Sequence, residues 1–171
     1  MPLGPWQSKQ TTASWQDTAR PINFLLVILC ATFIALVVTV AVNVTVANEP
    51  DNDFGHGFGW VLMMPVPAIA FVWTIIDILV CRFWNLHSIY SLVSAILLAI
   101  GYVIVGVFTA LFYNWNDEGA WVPGIFFFIN AIIHTIFMGF AARAIHINDK
   151  NDKANKLNVR MSDLQKSERS T

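Results

Sequence analysis

The sequence predicts an all-α membrane protein, an antiparallel four-helix transmembrane bundle with both termini in the cytosol. Hydrophobic residues make up 56% of the 171 residues and charged residues only 12%. This composition is more apolar and much less charged than that of a typical soluble domain. Four apolar stretches are each long enough to cross a hydrocarbon core of about 30 Å as a helix. None of the ten Lys and Arg residues lies in the connection after the first stretch or in the connection after the third.

The first span is predicted over residues 22–47, a run without any charged side chain. A secretory signal would have a shorter apolar core, and three further apolar runs follow this one. We therefore predict that the segment is retained as a membrane span. The polar segment before it, residues 1–20, is predicted to be cytosolic.

The second span is predicted over residues 59–80 and contains Pro65 and Pro67. Proline interrupts the hydrogen bonds of a helix, so we expect a kink near the outer end of this span. The third span is predicted over residues 88–113 and the fourth over residues 124–145, each long enough to cross with some tilt. Because the connections are too short for folded domains, neighbouring spans are predicted to be antiparallel.

The membrane domain as a whole is predicted to cover residues 21–147, and residues 148–171 form a polar, charged tail. The only apolar stripe of this tail consists of Leu157, Met161 and Leu164 at helical spacing. A composition of this kind buries too little apolar surface to fold alone, so the tail is predicted to be disordered and cytosolic.

The distribution of basic residues predicts the orientation. The connections at residues 48–58 and 114–123 contain acidic residues and no Lys or Arg, whereas the middle connection contains Arg82. The positive-inside rule therefore places the two acidic connections outside and both termini in the cytosol.

The cysteines and the net charge restrict the chemistry that is expected. Cys30 lies inside one apolar run and Cys81 at the end of another, so they can build neither a disulfide framework nor a thiolate metal cluster. A net charge of -1 gives no reason to expect a nucleic-acid partner. We predict no catalytic, metal or cofactor site. Because Cys81 adjoins Arg82 at the predicted cytosolic face, it is a candidate for reversible palmitoylation.

Asp77 is the residue in the spans that most needs an explanation. A carboxylate within a membrane costs several kcal/mol unless it is protonated, paired or close to water. Two interpretations stay open: a proton or ion relay with His134, or a buried polar contact that holds helices together. Asp77 lies five residues before Arg82, or roughly 7 Å along a helix. It can therefore reach the cytosolic interface or pair with Arg143.

The structural interpretation of Asp77 is favoured because a relay needs further ionisable groups across the membrane. The first and third spans offer only hydroxyls and Asn43 and Tyr102 for that purpose. In the fourth span, Asn130 and His134 are four residues apart, so they share a helix face that can hydrogen-bond to another span.

Small residues recur at every fourth position in several spans, as Ala95 and Ala99 do in the third. Such stripes allow helix backbones to approach closely. We assign them first to packing within the chain, and self-association is the secondary interpretation.

Three stretches carry a resemblance to a known family. Residues 18–23, with the sequence Thr-Ala-Arg-Pro-Ile-Asn, form the entry into the first span. Residues 91–110 are a stretch of the third span that is rich in small residues, and residues 129–131, near the start of the fourth span, have the sequence Ile-Asn-Ala. Together with the four spans and short connections, they resemble the MARVEL-domain proteins, in particular the small fungal members. The resemblance covers about residues 20–147.

This resemblance implies a non-enzymatic protein that organises membrane domains or takes part in vesicle trafficking or membrane apposition. The expected partners are membrane lipids and either further copies of the chain or other membrane proteins, and the expected location is the plasma membrane or an endomembrane. The alternative from the residues themselves is a small oligomeric channel or transporter subunit that uses Asp77, Asn130 and His134.

Overall fold

The computed structural model describes residue 6 and residues 8–15, 20–46, 58–113 and 121–169, and these form helices without any strand. The helices are α1 (Lys9–Trp15), α2 (Pro21–Val46), α3 (Phe58–Met63), α4 (Pro65–Phe83), α5 (Ser88–Tyr113) and α6 (Val122–Arg169). The predicted all-α fold is confirmed. Most of the two predicted outer connections lies outside the described residues.

Four helical stretches are long and apolar enough to cross a bilayer, as the sequence predicts. Three of them have 25 residues each, namely Pro21–Thr45, Gly59–Phe83 and Ser88–Phe112, and the fourth begins at Val122. At a rise of 1.5 Å per residue, 25 residues extend about 37 Å, which exceeds the hydrocarbon thickness. The chain is an integral membrane protein that spans the bilayer several times.

The bundle is apolar on its outside and carries polar groups inside. Large side chains such as Leu97 and Ile132 are 65% and 60% exposed, which is unfavourable in water and favourable against lipid. The buried polar and charged residues on the spans are Thr32, Thr39, Asn43, Thr74, Asp77, Ser88, Ser91, Ser94, Thr109, Asn130 and His134. Since helices in lipid gain little from apolar contact with each other, small and polar residues at the interfaces are expected.

The helix contacts define a ring of four spans. α6 shares its largest interface with α5, while α2 packs against both α4 and α6. α4 also contacts α5 and closes the ring. As a result, α4 and α6 stand diagonally across the bundle, and spans that are adjacent in the chain are neighbours.

The second span is interrupted at Met64, where the sequence predicts a kink. α3 ends at Met63 and α4 begins at Pro65. Proline has no N–H, so Pro65 and Pro67 cannot donate to the preceding turn. The N–H of Met64 still donates to the Trp60 carbonyl at 3.4 Å, and the two segments form one span.

α6 continues as one helix of 48 residues to Arg169, which differs from the disorder predicted for the tail. Residues 148–169 contain no Gly or Pro that would end the helix. Lys153 donates to Asp149 at 2.6 Å, a pair one helical turn apart that supports the extension. Residues 149–158 are all exposed. We call residues 148–169 the tail helix.

Candidate functional site

Asp77 lies on the buried face of α4 and is only 4% exposed. Tyr90 on α5 lies close enough to this carboxyl group to interact with it electrostatically. One carboxyl oxygen, Oδ1, is buried and has no hydrogen-bond partner among the described residues. Oδ1 of Asp77 is therefore still available as an acceptor.

His134 lies on the buried face of α6 and is 1% exposed. Neither Nδ1 nor Nε2 has a hydrogen-bond partner in the described part of the chain. The ring of Tyr102 stacks on the imidazole with centroids 5.7 Å apart. A neutral imidazole carries one N–H and one lone pair, so His134 presents both an unused donor and an unused acceptor.

Asp77 and His134 line the same small cavity, with a volume of about 10 Å³. All four spans contribute to its walls, which consist of Leu25, Ile28, Thr74, Asp77, Ser94, Ala95, Leu98, His134 and Phe137. The structure thus brings together the two residues that sequence reasoning considered as a pair. It adds Thr74 and Ser94 to the cavity. The only indication of this in the sequence was that each lies three residues from another polar residue and so shares its helix face, Thr74 with Asp77 and Ser94 with Ser91.

Arg143 does not form the ion pair with Asp77 that the sequence allows. Its side chain is exposed, and no salt bridge joins the two residues, both of which are described. Arg143 lies nine residues beyond His134 on α6, or about 14 Å along the helix axis. Because His134 is the α6 residue at the level of Asp77, Arg143 is too far along the axis to reach it.

Asn130 connects α6 to α2 and does not line the cavity. Thr32 donates to Asn130 Oδ1 at 3.4 Å, and Asn130 Nδ2 lies 3.3 Å from the Ala31 carbonyl and 2.9 Å from the Phe126 carbonyl. The amide therefore uses both its donors and its acceptor inside the protein. These contacts are of the interhelical kind that its position on the fourth span predicts.

Asn43, Ala95 and Ala99 occupy packing positions. Asn43 donates to the Thr39 carbonyl at 2.8 Å and lies 3.9 Å from the Met63 sulfur, so it helps to hold the broken second span against α2. Ala95 is 1% exposed within the core, and Ala99 is half-buried.

Cys81 is fully buried. Its carbonyl accepts a hydrogen bond from the Ser8 N–H at 3.0 Å, so the N-terminal segment covers this position. A palmitoyl group can be transferred only to an accessible thiol, and this arrangement therefore does not provide the site that the sequence suggested.

The helix α1 docks on the connection between α4 and α5, a contact that sequence reasoning missed. The Ser8 hydroxyl donates to the Trp84 carbonyl. Thr11 Oγ1 donates to the same carbonyl at 3.0 Å and accepts from the Leu86 N–H at 3.0 Å. Because α4 ends at Phe83, these backbone groups have no partner within a helix, and α1 supplies one.

Trp15 fixes the other end of α1 and is 1% exposed. Its Nε1–H donates to the Leu86 carbonyl at 2.8 Å, and its ring stacks on Phe137 with centroids 6.1 Å apart. Asn148 on α6 donates to the Ser14 carbonyl at 2.6 Å. The available indication in the sequence was an aromatic residue within a largely polar stretch, residues 7–20. We call α1 with Ser8 and its contacts the N-terminal clasp.

The described interior offers one carboxyl group, one imidazole and two hydroxyls around a water-sized cavity, a set that can hydrogen-bond a small polar ligand. In the part of the chain that the structure describes, no three His, Cys, Asp or Glu residues are grouped to hold a metal ion. Comparisons with family models, with curated proteins and with solved structures gave no match to this chain.

Proposed function

We propose that this chain is a non-enzymatic membrane protein that organises membranes, by gathering membrane components into domains or by taking part in vesicle trafficking or membrane apposition. The observation that supports this proposal is the continuity of α6. The same helix crosses the bilayer and then extends about 22 residues beyond Ile147, a distance of about 33 Å. A membrane anchor is thereby joined directly to a projecting helical surface.

The tail helix carries a surface suited to contact with other molecules. Leu157 and Met161 are four residues apart, so they lie on one face, and they are 62% and 65% exposed. Lys153 and Arg160 are exposed beside them. Apolar side chains ringed by charge on an otherwise solvated helix are typical of a binding face.

The arrangement of polar residues in the spans gives less support to a channel. The cavity lined by Asp77 and His134 has room for about one water molecule. Asn130 has its amide bonded to carbonyls of α2 and α6 and does not line that cavity. The three residues of the channel alternative therefore do not face a common path within one copy of the chain.

The test of the organising function is the lateral behaviour of the labelled full-length chain in cell membranes. We expect it to collect in patches with slow diffusion, and the double substitution Leu157→Asn with Met161→Asn to disperse those patches. Asn155→Ala is the matched control because residue 155 lies on another side of the same exposed helix, and it should leave the patches intact. Uniform, fast diffusion of the native chain would contradict the proposal.

The channel or transporter alternative is tested separately by ion and proton flux in liposomes that contain the purified chain. One observation supports this alternative: Asp77 and His134 line the same cavity. A flux that is present in the native chain and lost in Asp77→Asn would replace the organising function with transport. The absence of flux from both proteins, with an added ionophore as the positive control, supports the organising function.

A further inference from the structure

The cavity between Asp77 and His134 contains an unusual concentration of unused hydrogen-bonding groups. Asp77 Oδ1 and both ring nitrogens of His134 are buried without a protein partner among the described residues. Most buried polar atoms in folded proteins have a partner, either from the protein or from ordered water. Both residues are more than nine-tenths buried, so bulk solvent does not supply that partner.

The two neighbouring hydroxyls have their protons committed elsewhere. Thr74 donates to the Ala70 carbonyl at 2.7 Å, and Ser94 donates to the Ser91 carbonyl at 3.4 Å. Each hydroxyl oxygen still has lone pairs and can accept a hydrogen bond. The cavity therefore presents acceptors from Asp77, Thr74 and Ser94 together with one N–H donor from His134.

The size and the chemistry of the cavity select its ligand. Its volume of about 10 Å³ is close to the minimum that holds one water molecule. A hard divalent cation requires six or more oxygen ligands, whereas only the side chains of Asp77, Thr74 and Ser94 offer oxygen here. The other walls are apolar, apart from His134, and every lining residue except Leu98 is buried.

We propose that this cavity binds one water molecule that accepts a hydrogen bond from the His134 ring and donates one to Asp77 Oδ1. Its second proton is directed to the hydroxyl oxygen of Ser94 or Thr74, so the water makes three hydrogen bonds, the usual number for a buried water. α4 and α6 stand diagonally in the ring of spans. The water is thus a polar link between two helices that share little direct contact.

Radiolytic labelling tests this site in the full-length chain in nanodiscs. Hydroxyl radicals formed from a bound water oxidise the side chains around it even where bulk solvent has no access. Phe137 lines the cavity and is 2% exposed, whereas Phe127 is 0% exposed and belongs to the other core cluster. We expect Phe137 to be oxidised several-fold faster than its matched control Phe127, and equal rates would overturn the proposal.

Two variants then remove the water in different ways. Asp77→Leu with His134→Phe makes the walls apolar, and apolar cavities of this size are dry. Ala95→Val fills the space and leaves both polar residues in place, so it serves if the first variant does not fold. In the folded variant, the oxidation ratio of Phe137 to Phe127 should fall to near one, and an unchanged ratio would overturn the proposal.

A bound monovalent cation would produce a different result. The melting temperature of the native chain is compared in sodium chloride and in choline chloride at equal ionic strength, because an ion at free concentration c that binds only the folded state stabilises it by RT ln(1 + c/Kd). Equal melting temperatures are expected. A stabilisation that requires sodium and disappears in Asp77→Asn would assign the cavity to a cation and overturn the proposal.

Discussion

The two ends of the chain both lie outside the predicted spans but acquire their helical structure in different ways. α1 has seven residues, too few for a helix that is stable by itself in water. Its stability comes from tertiary contacts, since Thr11 and Trp15 share one face and are both buried. Residues 149–158 of the tail helix have no such buried face, because all of them are exposed.

What supports the tail helix is the span that precedes it. Forming the first turn of a helix is the costly step, and each further residue adds a hydrogen bond to an existing helix. The membrane-spanning part of α6 provides that first turn, so the extension to Arg169 requires only propagation. A polar segment thus becomes ordered either by hydrogen-bonding to unpaired backbone groups or by continuing a helix that already exists.

The largest effect is expected at the buried anchor of the N-terminal clasp. Trp15→Ala removes a fully buried aromatic ring and its hydrogen bond to Leu86, and we expect it to lower the unfolding free energy by about 3 kcal/mol. Denaturant titration in bicelles measures this change. The control is Trp121→Ala at a side chain that is 41% exposed, where the loss should be much smaller. Equal losses would show that α1 is not docked.

The next effect concerns the hydroxyl of Thr11. Thr11→Val keeps the shape, leaves the Leu86 N–H without its partner and removes one of the two hydroxyl hydrogen bonds to the Trp84 carbonyl, so a loss of about 2 kcal/mol is expected in the same titration. Thr135→Val is the matched control, because its exposed hydroxyl bonds only to the Ala131 carbonyl of its own helix. If both variants behaved alike, the hydrogen bonds of the clasp would not contribute to stability.

A smaller effect is expected where the two ends of the chain meet. Asn148→Ala removes the hydrogen bond to the Ser14 carbonyl and should cost about 1 kcal/mol. Asn158→Ala makes the same change at an exposed position further along the tail helix and should cost almost nothing. The difference between the two unfolding free energies measures how far the support from the bundle extends along α6.

The smallest effect on bundle stability is expected within the tail helix itself. Ala154→Pro breaks the helix, so the helical signal in circular dichroism should fall while the unfolding free energy stays within about 0.5 kcal/mol. Ala13→Pro makes the same change at an exposed position of α1 and should destabilise the bundle, because α1 cannot dock without its helical form. If both variants destabilised the bundle equally, α1 and the tail helix would not differ in their contribution to its stability.

The spans and their interruption could be predicted because they depend on local composition. Long apolar runs leave no other structure in a bilayer, and Pro65 and Pro67 are sufficient to break a helix at Met64. The pairing of Asp77 with His134 could also be anticipated, since each is a rare polar residue that requires a position inside the bundle. Four spans with one buried face each bring such residues to a common centre.

The N-terminal clasp could not be predicted because its partners are backbone groups. The carbonyl of Trp84 and the N–H of Leu86 can bond to α1 because α4 ends before them and leaves them without a helical partner. The identity of their side chains does not indicate this. The bonds from the clasp to Cys81 likewise involve its backbone carbonyl, which its side chain does not reveal. The absence of an ion pair between Arg143 and Asp77 could not be predicted for a different reason. Whether the two side chains meet depends on the positions of α4 and α6 along the bundle axis, and residue spacing within one helix does not define these positions.

The N-terminal clasp also has a consequence for the order in which the protein is made. Thr11 bonds to the N–H of Leu86, which is synthesised 75 positions later. While the ribosome is still producing the first two spans, α1 therefore has no surface on which to form. α1 precedes the first span in the chain, yet it can bond to Leu86 only after the second span has been made, and its contacts with Phe137 and Asn148 require the fourth span as well.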